Sequence, residues 1–152
     1  MKIRSLAGTL LLGMTLTSGA VAAPHGTDFH LLMQKEFDAW STLDLDRIAP
    51  FYAQGPDCVF YDLKPLKFNG WAEYAETMKK ALPGLASVKF TINNDAQTHQ
   101  EGHLAWGTAT MHMEIVTKSG NSESMDARWT AIWEQHGKNW VIVHEHFSAP
   151  TI

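Results

Sequence analysis

Two histidines flank a glutamate near the end of the sequence, in the stretch WVIVHEHFSAP that covers residues 140–150. A β-strand points successive side chains to opposite faces, so an unbroken strand puts His144 and His146 side by side and Glu145 on the other face. The histidine face would then also hold Trp140, Ile142 and Ser148, and the glutamate face Val141, Val143 and Phe147. Neutral imidazole can move protons, bind a metal or a ligand, or serve only as a structural hydrogen-bonding group. The motif leaves these roles open.

A metal site is one interpretation of the histidine pair. Two histidines at this spacing can bind one ion, and His112 or His103 on a neighbouring strand could supply the third protein ligand that catalytic zinc requires. No cysteine or carboxylate completes the set at a diagnostic spacing. We therefore assign no metal ligands and keep a metal-binding protein as a second alternative.

Asp62 is the strongest single candidate for acid–base chemistry. It follows the apolar run of residues 58–61. An apolar pocket raises the pKa of a carboxyl group and makes the carboxylate a stronger base. An exposed aspartate in a turn ahead of Pro65 explains the residue equally well, because aspartate is a favoured turn residue. We predict a catalytic set of Asp62 as base with His144 or His146 as proton relay.

Several other side chains could contact a ligand. Arg128 stands in an apolar strand and keeps its charge, so it must reach an acid, a carbonyl oxygen or an anionic ligand. Glu114 and Asp126 are candidate ion-pair partners, and a ligand carboxylate is the functional alternative. Aromatic residues dominate cores generally, so core packing competes with each aromatic candidate. The predicted ligand-binding residues are Tyr52, Tyr61, Trp106, His112 and Arg128.

The N-terminus has the pattern of a secretory signal peptide. Lys2 and Arg4 precede an apolar run at residues 6–16, and the small residues Ala20 and Ala22 follow it. The apolar run is shorter than the roughly 20 residues of a membrane-spanning helix, which argues against an uncleaved anchor. We expect a signal peptide at residues 1–22, cleavage after Ala22, and a periplasmic or secreted protein that is not held in a membrane.

Charge and cysteine content limit the class of the remaining chain. Without Lys2 and Arg4, 10 basic and 16 acidic side chains remain, so the net charge is about −6 with neutral histidines. Such a surface is a poor partner for nucleic acid. Cys58 is the only cysteine, so no internal disulfide can form, and its apolar surroundings favour a buried thiol. Residues 23–152 fit one domain.

The order of elements indicates an α+β fold. Apolar residues at helical spacing predict a helix from Phe29 to near Leu43, a shorter one over residues 45–52 and a third that begins at Asn69-Gly70 and stops at Pro83. One strand is expected at residues 58–62. Downstream, alternation and turn signals predict four antiparallel strands at residues 88–92, 103–117, 125–133 and 140–148.

Three stretches of this sequence resemble the nuclear transport factor 2 superfamily of cone-shaped α+β barrels: AWSTLDLDRIAPFYA, VFYDLKPLKFNGWAEYAETM and ARWTAIWEQHGKNWVIVHEHFSAP. The last strand, of the form W-x-I-x-H-x-H-x-S, is similar to that of the SnoaL-like branch. The resemblance implies three N-terminal helices packed in a curved antiparallel sheet, an apolar pocket at the open end of the cone, and a homodimer formed through the outer face of the sheet. Because members differ in activity, function must be argued from the site.

Ketosteroid isomerases of this superfamily have an aspartate base at the strand end that matches Asp62. They also need a tyrosine on the first helix and a protonated aspartic acid on a later strand. The matching positions fall near Glu36 or Phe37 and near Trp129 or Thr130, where neither donor is present. Steroid isomerisation is therefore not expected.

The sequence thus predicts an exported domain that binds a small apolar or carbonyl-bearing molecule. Any reaction would be cofactor-free acid–base catalysis of the isomerase, cyclase or dehydratase type, with Arg128 or Tyr61 stabilising negative charge. A non-catalytic ligand-binding or dimerisation module is the first alternative, and the sequence does not decide whether there is turnover.

Overall fold

The computed structural model describes residues 26–150. It contains three α-helices, Phe29–Ser41 (α1), Leu45–Ile48 (α2) and Gly70–Ala81 (α3). The strands are Val59–Tyr61 (β1), Phe68–Asn69 (β2), Leu85–Ile92 (β3), Gln97–Glu101 (β4), Leu104–Thr117 (β5), Ser122–His136 (β6) and Asn139–Ser148 (β7). Within this range no helix is long and apolar enough to cross a membrane.

The strands form one curved, unclosed sheet in the order β2-β1-β7-β6-β5-β3, and β4 pairs with the other end of β5. Every neighbouring pair is antiparallel except β1 and β7, which run parallel. The helices pack on the concave face, where the buried side chains of both layers form a single core. The predicted α+β fold of helices packed in a curved sheet is confirmed.

Local sequence signals position the helices. The Asp28 carboxylate accepts a hydrogen bond from the Leu31 N–H and caps α1. Asp44 caps α2 in the same way. Pro50 lacks an N–H and cannot continue an α-helix, so α2 ends at Ile48 and a 3-10 turn, Ala49–Phe51, carries the chain to Tyr52. This turn replaces most of the second half of the helix predicted over residues 45–52.

A β-bulge divides β7 into two parts with opposite side-chain phase. Ile142 pairs with Trp133, whereas His144 pairs with the adjacent Ile132, so Val143 has no partner in β6. Trp140 and Ile142 therefore face the core together with Glu145. The prediction that the histidines share a face with Trp140 and Ile142 is wrong, because it assumed an unbroken strand. The histidines point to the convex face.

Candidate functional site

An apolar cavity lies between α1, α3 and the concave face of the sheet. Its volume is about 170 Å³, and its walls include Phe37, Trp40, Tyr74, Val88, Phe90 and Phe147. Two carboxyl groups also line it, those of Asp62 and Glu145. A mostly apolar pocket with a few convergent polar groups is typical of a small-molecule site.

Glu145 presents its carboxyl group to the cavity from β7 and is held by two donors. The indole N–H of Trp129 donates to Oε1, and the hydroxyl group of Tyr52 lies 3.0 Å from Oε2. The glutamate is only 6% exposed. Burial of the charged form raises its pKa from 4.5 to about 7, although hydrogen bonds with Trp129, Glu36 and Tyr52 oppose that shift. Glu145 can thus change its protonation state near neutral pH.

Tyr52 connects Glu145 to a second buried glutamate, Glu36 of α1. The Tyr52 hydroxyl oxygen lies 3.0 Å from Glu36 Oε1 and accepts a hydrogen bond from the Trp40 indole N–H, also at 3.0 Å. Within residues 26–150, no N–H or hydroxyl group bonds Glu36 Oε2, but the Glu36 and Glu145 carboxyl groups are hydrogen-bonded to each other. These contacts join α1, the segment after α2 and β7 around one hydroxyl group.

The number of protons in this network determines the charge of Glu36. A tyrosine hydroxyl has one proton, so Tyr52 can donate to only one of the two carboxyl groups. Burial and then repulsion from Glu145 raise the pKa of Glu36 well above 4.5. Burial also raises the pKa of Tyr52 well above 10, so the phenol stays neutral. The consistent arrangement has Glu36 protonated, within hydrogen-bond reach of both Tyr52 and the Glu145 carboxyl group, and Tyr52 donating to Glu145.

Asp62 lies at the cavity mouth, where the chain leaves β1. Its Oδ1 accepts a hydrogen bond from the Leu63 N–H at 2.6 Å, as expected of an aspartate that starts a turn. It is nevertheless half-buried and lines the cavity, and burial raises its pKa despite that hydrogen bond. Asp62 thus starts a turn without being fully exposed, and its role as a base stays a prediction.

The predicted histidine pair lies on the convex face, away from the cavity walls. The Nδ1 atom of His144 is 2.8 Å from the carbonyl oxygen of Val59. His144 and His146 flank the Tyr61 ring, with ring centroids 5.5 and 5.7 Å away. The structure thus brings Tyr61 and both histidines together. A second pocket, of about 260 Å³, is lined by Tyr61, Asp62 and His146, so Asp62 meets one histidine of the pair there, whereas His144 does not line that pocket.

The other predicted ligand contacts divide between the two faces. Tyr52 belongs to the buried network beside the cavity. Trp106 is on the convex face, 41% exposed, and stacks on His99. His112 is also there, and Arg128 is exposed in β6, paired with Thr110 and Ser148.

The partners suggested for Arg128 are engaged elsewhere. Asp126 Oδ1 lies 2.8 Å from Nδ1 of His112, whose Nε2 lies 2.9 Å from the Ser124 hydroxyl oxygen. Glu114 forms an ion pair with Lys89 at 3.3 Å. Across residues 26–150, no group of three His, Cys, Asp or Glu side chains is arranged to hold a metal ion. The histidine pair has no third ligand in that part of the chain.

Sequence reasoning missed the two glutamates. A signal for Glu36 was present, because Met33, Glu36, Phe37 and Trp40 occupy one helical stripe, and a glutamate in an apolar stripe is unusual. The signal for Glu145 was its position between Val143 and Phe147 on the face opposite the histidines. Its approach to Glu36 and Tyr52 depends on tertiary contacts.

Residues 31–152 match the SnoaL-like domain family. No curated protein matches the chain. Solved structures share the fold at low identity. A nuclear transport factor 2-like protein from Salmonella enterica serovar Typhimurium has a TM-score of 0.74 and 17% identity, over 82% of this chain and 90% of that one.

Two further structures have names that suggest different roles. A candidate dehydratase from Streptomyces avermitilis has a TM-score of 0.72 and 13% identity, with 82% of this chain and 95% of that one covered. A candidate calcium/calmodulin-dependent protein kinase II association domain from Xanthomonas campestris has a TM-score of 0.71 and 19% identity, over 92% and 98%. At these identities the likeness shows the fold alone, and the family match shows that the chain belongs to the SnoaL-like domain family.

Proposed function

We propose that this SnoaL-like domain is a cofactor-free acid–base enzyme that acts on a small, neutral carbonyl compound. The observation that carries the proposal is the buried Glu145 carboxyl group, which lines an apolar cavity and has a pKa of about 7. A general base or acid works best when its pKa lies near the working pH.

The reaction type follows from the groups at the cavity wall. The Glu145 carboxylate takes a proton from the carbon next to the ligand carbonyl, and the C–H electron pair forms the enolate. Asp62 also lines the cavity and has a raised pKa, so it is the second group that exchanges protons with the ligand. Enolate formation is the first step shared by isomerases and many dehydratases.

Cavity size and charge support a small neutral ligand. An apolar cavity of about 150 Å³ holds benzene, so about 170 Å³ suits a compound with one ring. No lysine or arginine is among the described residues that line the cavity, and both of its charged groups are acids. An anionic ligand would meet repulsion there.

Deuterium exchange into cyclohexanone tests proton abstraction directly. The ketone is incubated in D₂O with protein, and loss of the α-proton signal is followed by proton NMR. Glu145→Gln should lower the protein-catalysed rate about a hundredfold or more, the range typical of a lost general base. Asp62→Asn should lower it less. Glu76→Gln is the matched control, because Glu76 is exposed on α3 and pairs with Lys80.

Binding must be measured beside exchange. Chemical shift changes at Val88 and Phe90 would show whether cyclohexanone occupies the cavity. Wild-type exchange no faster than buffer would overturn the enzyme proposal, and binding without exchange would favour the ligand-binding alternative. Exchange that is unchanged in Glu145→Gln would remove Glu145 from the mechanism.

We also propose that the domain forms a homodimer through its convex face. Leu104, Trp106 and Ile132 lie together on β5 and β6 and are 42%, 41% and 36% exposed. Contiguous exposed apolar groups on one sheet face are typical of an interaction surface. The likeness to a candidate association domain agrees with this role, which also suits the non-catalytic alternative.

Export is the third part of the proposal. It depends on the signal-peptide pattern of residues 1–22, which lie outside the described residues. Mass spectrometry of protein secreted from a bacterial host should find a chain that starts at Ala23. An intact N-terminal methionine on exported protein would contradict cleavage after Ala22.

A further inference from the structure

We infer that Glu36 is a second proton carrier of the site: it exchanges a proton with Glu145 through the Tyr52 hydroxyl group. Glu145 can then face the cavity as a carboxylate or as an acid without taking a proton from solvent. The inference rests on the proposed function, in which Glu145 acts on the ligand. Glu36 itself does not line the cavity, so its role is to set the protonation state of Glu145.

The geometry provides a continuous path. The Tyr52 hydroxyl oxygen lies 3.0 Å from Glu36 Oε1 and 3.0 Å from Glu145 Oε2. All three side chains are buried, with exposures of 1%, 2% and 6% for Glu36, Tyr52 and Glu145. A buried hydrogen-bonded chain of this kind can move a proton without opening to water.

The transfer conserves protons and charge. In the resting arrangement Glu36 carries a proton and Glu145 is ionised. The Glu36 O–H bond breaks as the proton moves to the Tyr52 oxygen, while the original Tyr52 O–H bond breaks as its proton moves to Glu145. Tyr52 ends neutral, Glu145 ends as a carboxylic acid, and the negative charge is on Glu36.

The hydrogen-bond partners decide which arrangement is the more populated. A Glu145 carboxylate accepts from both Trp129 and Tyr52. A Glu36 carboxylate would lack the Trp129 donor, and among the described residues only Tyr52 and a protonated Glu145 could donate to it. An unsatisfied buried charge is strongly unfavourable. In the resting state the negative charge therefore lies on Glu145. The protonated form of Glu145 is a minor species that forms when Glu36 transfers its proton.

The surrounding ionisable groups leave a single charge to be shared between these two carboxyl groups. Tyr74 of α3 faces the same region, and burial raises its pKa well above 10, so it stays neutral like Tyr52. Asp62, at the cavity mouth, repels negative charge on Glu145 and raises its pKa. Repulsion between Glu36 and Glu145 opposes ionisation of both carboxyl groups together.

A pH profile distinguishes this device from an ordinary acid. Above the pKa of Glu145 in the wild type, Glu36 and Glu145 share one proton. The fraction of the protein that has this proton on Glu145 is constant, since an internal transfer does not depend on pH. In Glu36→Gln the proton must come from solvent, so the acid form should fall about tenfold for each pH unit above the pKa.

Hydrolysis of 1-methoxycyclohexene measures the acid form. Glu145 donates its proton to the ring carbon, the double-bond electron pair forms the new C–H bond, water adds to the cation, and methanol leaves with release of a proton. After subtraction of the buffer rate, the wild type should show a plateau at pH values above the pKa of Glu145 while Glu36 stays protonated, whereas Glu36→Gln should lose activity about tenfold for each pH unit there. Glu76→Gln is the control and should keep the plateau.

Carbon-13 NMR of glutamate-labelled protein gives a readout that needs no catalysis. The Glu36 and Glu145 carboxyl signals should move together through one titration in the wild type, as expected of coupled groups. One carboxyl should stay protonated at pH values where the other has ionised, and Glu36→Gln should remove that signal. Two separate titrations, or no protonated carboxyl at those pH values, would overturn the inference.

The two measurements separate the inference from the proposed function. A wild-type plateau that persists in Glu36→Gln would overturn the proton-carrier role. Coupled carboxyl signals without wild-type hydrolysis or ketone exchange would support proton sharing and overturn the proposed function. A variant that fails to fold is recognised by its NMR spectrum. Tyr52→Phe keeps both carboxyl groups, and a plateau that persists in it would overturn transfer through the hydroxyl group.

Discussion

The Tyr52 hydroxyl group donates to Glu145 across 3.0 Å. Helix α1, the segment after α2 and strand β7 meet around this group. A donor stabilises the carboxylate, so its removal favours the protonated form. In Tyr52→Phe we expect the pKa of Glu145 to rise above its value of about 7. Carbon-13 NMR of the Glu145 carboxyl group checks the direction, and an unchanged or lower pKa would contradict the hydrogen bond.

The same substitution should weaken the fold. Tyr52→Phe leaves the Trp40 indole N–H without its acceptor and Glu145 with one donor fewer. An unsatisfied buried polar group costs about 1–3 kcal/mol, so the free energy of unfolding should fall by at least about 1 kcal/mol. Urea denaturation measures it. Tyr61→Phe is the control, since the Tyr61 side chain is exposed and should change stability by less than about 0.5 kcal/mol.

Stability should also depend on pH through Glu145. The folded-state pKa of about 7 lies above the reference value of 4.5, so between these values the folded protein binds more protons than the unfolded chain. The contribution of Glu145 to the free energy of unfolding is therefore fully present below about pH 4.5 and is lost as pH rises through about 7. A shift of this size corresponds to about 3 kcal/mol.

Glu145→Gln isolates that contribution. Urea denaturation at each pH measures the free energy of unfolding of wild type and variant. As pH rises from 5 to 8, the stability of the variant relative to the wild type should increase. Glu76→Gln, at an exposed position, should show no such trend. A difference that is constant with pH would mean that the pKa of Glu145 is not raised.

Gly107 allows close packing against the Trp133 ring. A Cβ atom at this position would lie 2.8 Å from the ring, and both residues are buried in the core between β5 and β6. Overpacking of this kind costs about 1–3 kcal/mol, so Gly107→Ala should lower the free energy of unfolding by that amount. Gly84→Ala is the matched control, because nothing lies within 4 Å of its added methyl group. Equal stability of the two variants would contradict the tight contact.

The proposed homodimer predicts the effect of a charge on the convex face. Trp106→Glu or Ile132→Glu would place a carboxylate in an apolar interface, where an unpaired charge is strongly unfavourable. We expect light scattering to find a dimer for the wild type and a monomer for either variant at micromolar concentration. Arg128→Glu changes charge on the same face and serves as control. A monomeric wild type would remove the dimer.

Much of the fold could be predicted because its signals are local. The capping aspartates Asp28 and Asp44 and the long alternating strands positioned most elements within a few residues. The strand β4 was missed because its sequence, QTHQE, is largely exposed and has no apolar alternation. Pairing with β5 creates it, and pairing is a tertiary property.

The candidate site was harder to predict for a different reason. Asp62 was found because it follows an apolar run, and the structure places it at the cavity mouth. Glu145 was assigned to the face opposite the histidines, but nothing in the sequence shows that this face carries the cavity. Glu36 becomes important only when α1 brings it to Tyr52.

The unpaired Val143 determines which chemistry the His-Glu-His tripeptide offers to the interior. With one extra residue ahead of the tripeptide, the cavity receives a single carboxyl group and the two imidazoles go outward. Without the extra residue, the strand would point both imidazoles inward and expose the glutamate. A single inserted residue is therefore equivalent to exchanging three side chains at once, and the identity of the acid–base group depends on a count of residues as much as on their kind.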